Sequence, residues 1–213
     1  MMTAWHRYAD GGVRWRADSL GIEVEGQGFQ RTPGPIVTIA KLWDQWADPI
    51  QHWAHIFNVP VELLLMTAAT ESRRDLDPRQ DLKEPGYVSD ESTPHRVSIG
   101  LCHVLISTAR GALGFAVGRQ WLAVPRNNFM AAALVLRDDA RTTGFDPILA
   151  AAKYNAGALR PSSENRFGLR VTGDHLDRAA RWFGDAVTFI AAHGGAERDW
   201  QWALKASASR VLV

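Results

Sequence analysis

Between Pro60 and Glu71 the chain reads Val61-Glu62-Leu63-Leu64-Leu65-Met66-Thr67-Ala68-Ala69-Thr70. Asn58-Val59-Pro60 just before it is a helix start: a capping residue, then a proline whose fixed φ suits the first turn. Beyond that start, apolar side chains point in nearly every direction around the helix axis. A helix without a polar stripe has no face to give to water, so it belongs at the centre of a multi-element body. The rest of the fold has to be built around it. It ends on a carboxylate, Glu71.

The flanking pattern is mostly helical. Ile36, Ile39, Ala40, Trp43, Trp46 and Ala47 recur at three- and four-residue spacing, which places them on one helix face. Pro49 predicts an interruption, after which Ile50, Trp53, Ala54 and Phe57 resume the face. Further helices are expected near Ser107–Gly114, Asn128–Thr142, Asp146–Asn155 (capped by Gly157), Asp174–His193 and Ala196–Ala206. Residues 1–35 carry Gly11-Gly12, Gly21, Gly26, Gly28 and Pro33-Gly34-Pro35, which disfavour helix. Within them Gly21–Gly26 alternates and reads as a short strand. This section is expected to be an arm packed on a main body of residues 36–213. Residues 72–97 hold Pro78, Pro85-Gly86, Pro94 and charges of both signs, as a surface excursion would. Short strands are expected there around Tyr87–Ser89 and Arg96–Ser98. The class is mainly α with a small β element.

Composition narrows function by exclusion. The 213 residues carry 24 basic and 23 acidic side chains, a net charge of +1. No basic field exists to draw in nucleic acid. Cys102 is the single cysteine, so there is no intramolecular disulfide framework and no thiolate zinc ribbon. No uncharged apolar run approaches the ~18 residues of a membrane span. The opening Met1–Asp10 has no apolar segment of the signal-peptide kind; the expectation is a protein made in the cytoplasm. Nine tryptophans are many for this length. Such rings stack on sugars, but most are expected in the core or on helix seams, because each buries a large area.

Three places carry candidate chemistry. Glu71, at the end of an apolar helix, should sit at the edge of the core. Partial removal from water favours the protonated form of a carboxyl group, which a general acid needs; the plainer reading is an ordinary charged helix end. Ser98-Ile99-Gly100-Leu101-Cys102-His103-Val104 sets a polar imidazole among apolar residues after a glycine, as either a cleft edge or a buried strand-to-helix junction. Ala152-Lys153-Tyr154-Asn155-Ala156-Gly157 puts two hydrogen-bonding side chains at a helix end, where they either face a cleft or pack and cap. His52 and His55 lack the spacing of paired metal ligands, and His95, His103, His175 and His193 are scattered. Gly111–Gly118 lacks the Lys-Ser/Thr of a phosphate loop, and no serine nucleophile elbow is present. Nothing in the pattern calls for a metal or cofactor, and oligomeric state stays open.

Taken in order, the three segments resemble the soluble-lytic-transglycosylase-like family. Thr70-Glu71-Ser72 looks like the Glu-Ser that ends its catalytic helix. Ser98-Ile99-Gly100-Leu101-Cys102-His103 with Ser107-Thr108-Ala109 is similar to its Ser-x-Gly-Leu-Met-Gln…Thr-Ala segment. Ala152–Gly157 resembles its Ala-x-Tyr-Asn-Ala-Gly motif. The resemblance covers residues 55–160. It implies a lysozyme-like α fold with a glycan-binding cleft, and cleavage of the MurNAc–GlcNAc β-1,4 bond of peptidoglycan with Glu71 as the only acid/base and a 1,6-anhydro-MurNAc product. It further implies that Tyr154 orients Glu71, and that Ser98, Leu101, Cys102, His103 and Asn155 line the cleft. Cys102-His103 stands where the family has Met-Gln, so an imidazole titrating near neutral pH replaces an amide there.

Two alternatives stay open. A hydrolytic lysozyme on the same fold would need a second carboxylate, and Asp90 or Glu91 in the charged excursion are the candidates; the plainer reading has them, with Glu84, as solvated loop charges. A non-catalytic glycan-binding or structural module is the other. Without a signal peptide, a wall-cleaving enzyme is expected to reach its substrate by phage lysis, in a virion or as secretion-machine cargo.

Overall fold

The computed structural model describes residues 4–72 and 75–193. About half of the described residues are helical, in seven α-helices, and two small three-stranded sheets accompany them. The expected helix over Ala196–Ala206, with Trp200 and Trp202, lies outside the described residues.

The central helix is α2, Val61–Ser72. Every one of its residues is buried except Glu71. Two of its three hydroxyls are absorbed locally: Thr67 Oγ1 donates to the Leu63 carbonyl at 2.8 Å and Ser72 Oγ to that of Ala68 at 2.6 Å, while the buried Thr70 hydroxyl has no hydrogen-bond partner among the described residues. Back-bonding of this kind lets a polar residue sit in an apolar helix without an unmet donor. Around α2 pack α1, Thr38–Phe57, and α7, His175–His193. Proline 49 does not end α1 but bends it, with Trp46 at φ −138°, ψ 25°. The distortion lies upstream of the proline because its ring collides with the carbonyl one turn earlier.

The remaining helices are α3 (Ile106–Leu113), α4 (Arg119–Leu122), α5 (Pro125–Thr143) and α6 (Pro147–Ala156). Helices α3, α5 and α6 each stop at a left-handed glycine: Gly114, Gly144 and Gly157. Asp146 caps α6 by accepting from the Ile148 and Leu149 amides, both at 3.0 Å. The same carboxylate takes Trp15 Nε1 at 3.0 Å and His6 Nε2 at 3.0 Å. The N-terminal segment is thereby tied to the helix that carries Tyr154 and Asn155.

The first sheet joins β1 (Trp15–Asp18), β2 (Gly21–Val24) and β3 (Gly28–Phe29), all antiparallel. Trp15, Ala17, Ile22 and Val24 are fully buried, and β2 packs on α7. The second sheet joins β4 (Asp81–Lys83), β5 (Val97–Ile99) and β6 (Val104–Leu105), also antiparallel. Tyr87–Ser89 is not a strand. Its amides turn inward instead, Tyr87 to the Glu84 carbonyl and Val88 to the Thr93 hydroxyl. Trp15 is fully buried, whereas Trp43, Trp46, Trp53, Trp121 and Trp182 pack half-buried against the core. Among the described residues no helix is long and apolar enough to cross a membrane.

Candidate active site

Glu71 lies one residue before the end of α2, with its side chain 15% exposed. It is the only point at which the central helix meets solvent. Two imidazoles from distant segments flank its carboxylate: His103 Nδ1 is 4.0 Å from Oε2, and His175 Nε2 is 3.8 Å from Oε1. Both histidine side chains are largely buried, at 14% and 4% exposure. His175 was not singled out by its sequence context. It reaches Glu71 because α7 packs along α2.

Hydrogen bonds settle which way the His175 ring faces. The Thr172 amide donates to Asn155 Oδ1 at 2.9 Å. That fixes the Asn155 amide, so its NH₂ is the end that approaches His175 Nδ1 at 3.4 Å. Nδ1 is then an acceptor, and in the neutral ring the proton sits on Nε2, facing Glu71. Asn155 is therefore a clamp between the end of α6 and the start of α7.

His103 is presented by the turn that joins β5 to β6. Gly100 has φ 80° and His103 φ 42°, with the His103 amide donating to the Gly100 carbonyl at 3.0 Å. Asn128, 1% exposed on α5, holds this turn from inside. It donates to the carbonyls of Ile99 (2.8 Å) and Leu122 (3.0 Å) and accepts from the Cys102 amide (2.8 Å). A Cβ on Gly100 would lie 2.5 Å from Asn128 Nδ2. Glycine is required there by space as well as by φ. Nothing in the sequence marked Asn128, which reads as one polar residue of an amphipathic helix.

Tyr154 closes the other side of the turn, its hydroxyl donating to the Cys102 carbonyl at 2.8 Å. Burial pushes the Tyr154 phenol well above its ordinary range, so it stays a neutral donor. Both backbone groups of Cys102 are thus occupied by protein. Its side chain and that of Leu101 are fully buried, and burial pushes the Cys102 thiol well up; it is a small core residue. Ser98 is buried in β5, 8% exposed. Of the five residues expected along a cleft, His103 and Asn155 are the ones with partly exposed side chains.

The second-carboxylate candidates sit elsewhere in the hydrogen-bond network. Asp90 receives Arg119 on both oxygens, at 2.9 and 3.1 Å, and the Tyr87 hydroxyl on Oδ1 at 2.8 Å. Burial acts to raise its pKa, but Arg119 and Tyr87 outweigh it and hold the carboxyl below its usual range. Arg119 also pairs with Asp81 of β4, so this network fastens the charged excursion to α4. Glu84 and Glu91 are exposed.

Two surface grooves are lined by Asn155 or by chain neighbours of Glu71 and His175, and neither lining includes Glu71 itself. A groove of about 1030 Å³ includes Asp75 and Leu76, just past α2, and Asp174, which precedes His175. A smaller, polar one of about 390 Å³ starts at Asn155 and includes Arg160, Arg170 and Thr172. Among the described residues no group of three His, Cys, Asp or Glu side chains is arranged to hold a metal ion. Comparison with protein-family models, curated proteins and solved structures returned no match for the chain.

Proposed function

We propose that this protein cleaves the glycan strand of peptidoglycan at the MurNAc–GlcNAc β-1,4 bond, on a lysozyme-like fold, by lytic transglycosylation with Glu71 as the single acid/base. The observation that carries this reading is that Glu71 is the one residue of an otherwise buried central helix to reach solvent, with two imidazoles within 4.0 Å of its carboxylate. Protonated Glu71 gives its proton to the glycosidic oxygen as the C1–O bond breaks. The resulting carboxylate takes the proton of the MurNAc 6-hydroxyl while O6 bonds to C1. Glu71 ends protonated, and the product ends in a 1,6-anhydro ring. No water is consumed and no second carboxylate takes part.

The surroundings suit a group that must alternate between acid and base. His175 Nε2 stands 3.8 Å from one Glu71 oxygen, with Asn155 against its Nδ1, and His103 Nδ1 stands 4.0 Å from the other. Tyr154 and Asn128 hold the turn that carries His103. The engagement of Asp90 with Arg119 and Tyr87 favours the one-carboxylate scheme over hydrolysis. An enzyme of this kind would act on the wall after release or delivery. The test is solubilisation of purified peptidoglycan by the wild-type protein and by Glu71→Gln, with circular dichroism to show that both are folded. Release by the wild type and none by the variant is expected. Equal release by both would remove Glu71 from the chemistry.

A further inference from the structure

Two imidazoles beside one carboxylate compete with it for protons. A histidine in water is more basic than a glutamate by about two pH units. His103 Nδ1 and His175 Nε2 stand 4.0 and 3.8 Å from the two Glu71 oxygens, and all three side chains are at most 15% exposed. At that range an imidazolium favours the ionised carboxylate, and the carboxylate favours the imidazolium. A glycan-cleaving acid needs the opposite state, with the proton on Glu71.

The surroundings of the two rings differ. His175 starts α7 with Nδ1 against Asn155 Nδ2 at 3.4 Å. Asn155 cannot turn its oxygen to this ring without giving up the Thr172 amide, which donates to Oδ1 at 2.9 Å. A second proton on His175 would set an N–H against the Asn155 NH₂, two donors face to face. His103 sits on the turn between β5 and β6 with φ 42° and its Nδ1 side toward the carboxylate. At 14% exposure against 4%, it keeps more contact with water when charged. The Cys102 thiol and the Tyr154 phenol also feel the Glu71 charge. Burial chiefly, and that charge with it, push both well up, so both stay neutral. Further out, Asp139 of α5 is paired with Lys153 of α6 at 3.0 Å, and Asp174, next to His175, with Arg178.

We propose that His103 is a positioning residue that sets when Glu71 holds its proton: as an imidazolium it keeps Glu71 a carboxylate near neutral pH and confines cleavage to acid pH, while His175, held neutral by Asn155, is the fixed partner. This rests on the reading of Glu71 as a glycan-cleaving acid. The test has two arms. In the first, the Cε1–H resonances of His103 and His175 are followed against pH by NMR in the wild type and in folded Glu71→Gln. In the second, kcat/KM on purified peptidoglycan is measured from about pH 4 to 9 for the wild type, His103→Asn and His175→Gln. Asparagine keeps an amide at the Nδ1 position and tolerates the left-handed backbone at position 103. Glutamine keeps one at the Nε2 position of residue 175.

The His103 midpoint should fall by about one pH unit in Glu71→Gln, the effect of removing an opposite charge at this range. His175 should stay neutral above about pH 5. The alkaline limb of the wild-type profile should move up by about one pH unit in His103→Asn, making that variant up to about tenfold faster than the wild type near neutral pH, and should stay in place in His175→Gln. A damaged fold slows cleavage at every pH and does not have this effect. A His103 midpoint indifferent to Glu71→Gln, or an alkaline limb that His103→Asn leaves in place or lowers, overturns the proposal, and so does a limb moved by His175→Gln alone. Coupled midpoints in a protein that cleaves no glycan would keep the His103–Glu71 pair and remove the chemistry. Cleavage with an unmoved limb would keep the chemistry and remove the pair.

Discussion

Asn128 offers the sharpest test of how the site is held. It is 1% exposed and makes three hydrogen bonds, to Ile99, Leu122 and Cys102. Asn128→Ala leaves two carbonyls and one amide without partners in the interior. At about 1 kcal/mol for each bond, and more where a buried group cannot reach water, the loss is about 3–5 kcal/mol. With a urea slope of about 2–3 kcal/mol per molar, the unfolding midpoint drops by more than about 1 M. Asn128→Asp is a sharper variant. It keeps the acceptor for the Cys102 amide but turns an oxygen toward two carbonyls, so it should be at least as destabilising as alanine. Both variants should also loosen the turn that presents His103 and slow glycan cleavage. The assay is urea unfolding followed by tryptophan fluorescence, with cleavage rates measured well below the midpoint. A loss under about 1 kcal/mol for alanine, or a stable aspartate variant, would refute the clamp, because one buried amide with three bonds cannot be that cheap to remove.

Tyr154→Phe removes the hydroxyl bond to the Cys102 carbonyl; cleavage should slow several-fold without being lost, at a stability cost of about 1 kcal/mol, and an unchanged rate would take Tyr154 out of the site. His6 gives a pH signature. Burial acts to lower its pKa, but the hydrogen bond and charge of Asp146 outweigh that and raise it above the ordinary 6.5. A raised histidine contributes stability in full below its unfolded value and loses it as pH rises through its folded value. Urea midpoints should therefore fall as pH rises from about 6 to 8, a slope that His6→Gln should flatten; the same slope in both proteins would show that this pair is not its source.

The sequence reading reached the parts of the fold that local pattern determines. An all-round apolar run has only one place to go, so α2 and the edge position of Glu71 were legible without tertiary information. Gly114 and Gly157 mark helix ends because a left-handed residue there satisfies the last carbonyls. Other features depend on partners far along the chain. Strand β4 is exposed at all three positions and shows no alternation. Strand β1 lies in a glycine- and proline-rich section, yet Trp15 and Ala17 pair it with β2 and bury it. At the site, Glu71, His103, Tyr154 and Asn155 were singled out from the sequence. His175 and Asn128 were not. A buried histidine at a helix start and a buried asparagine within a helix look ordinary until α7 meets α2 and α5 meets the turn after β5. Asp90 looked like a free loop carboxylate because its partner, Arg119, belongs to a helix of four residues that has no periodic signal of its own.

The most direct measurement is mass spectrometry of the fragments released from purified peptidoglycan by the wild-type protein, with Glu71→Gln as control. Fragments ending in 1,6-anhydro-MurNAc, lighter by one water than hydrolysed ends and absent from the Glu71→Gln digest, are the predicted result. Reducing MurNAc ends, or anhydro ends that persist in the variant, would contradict a single-carboxylate mechanism centred on Glu71.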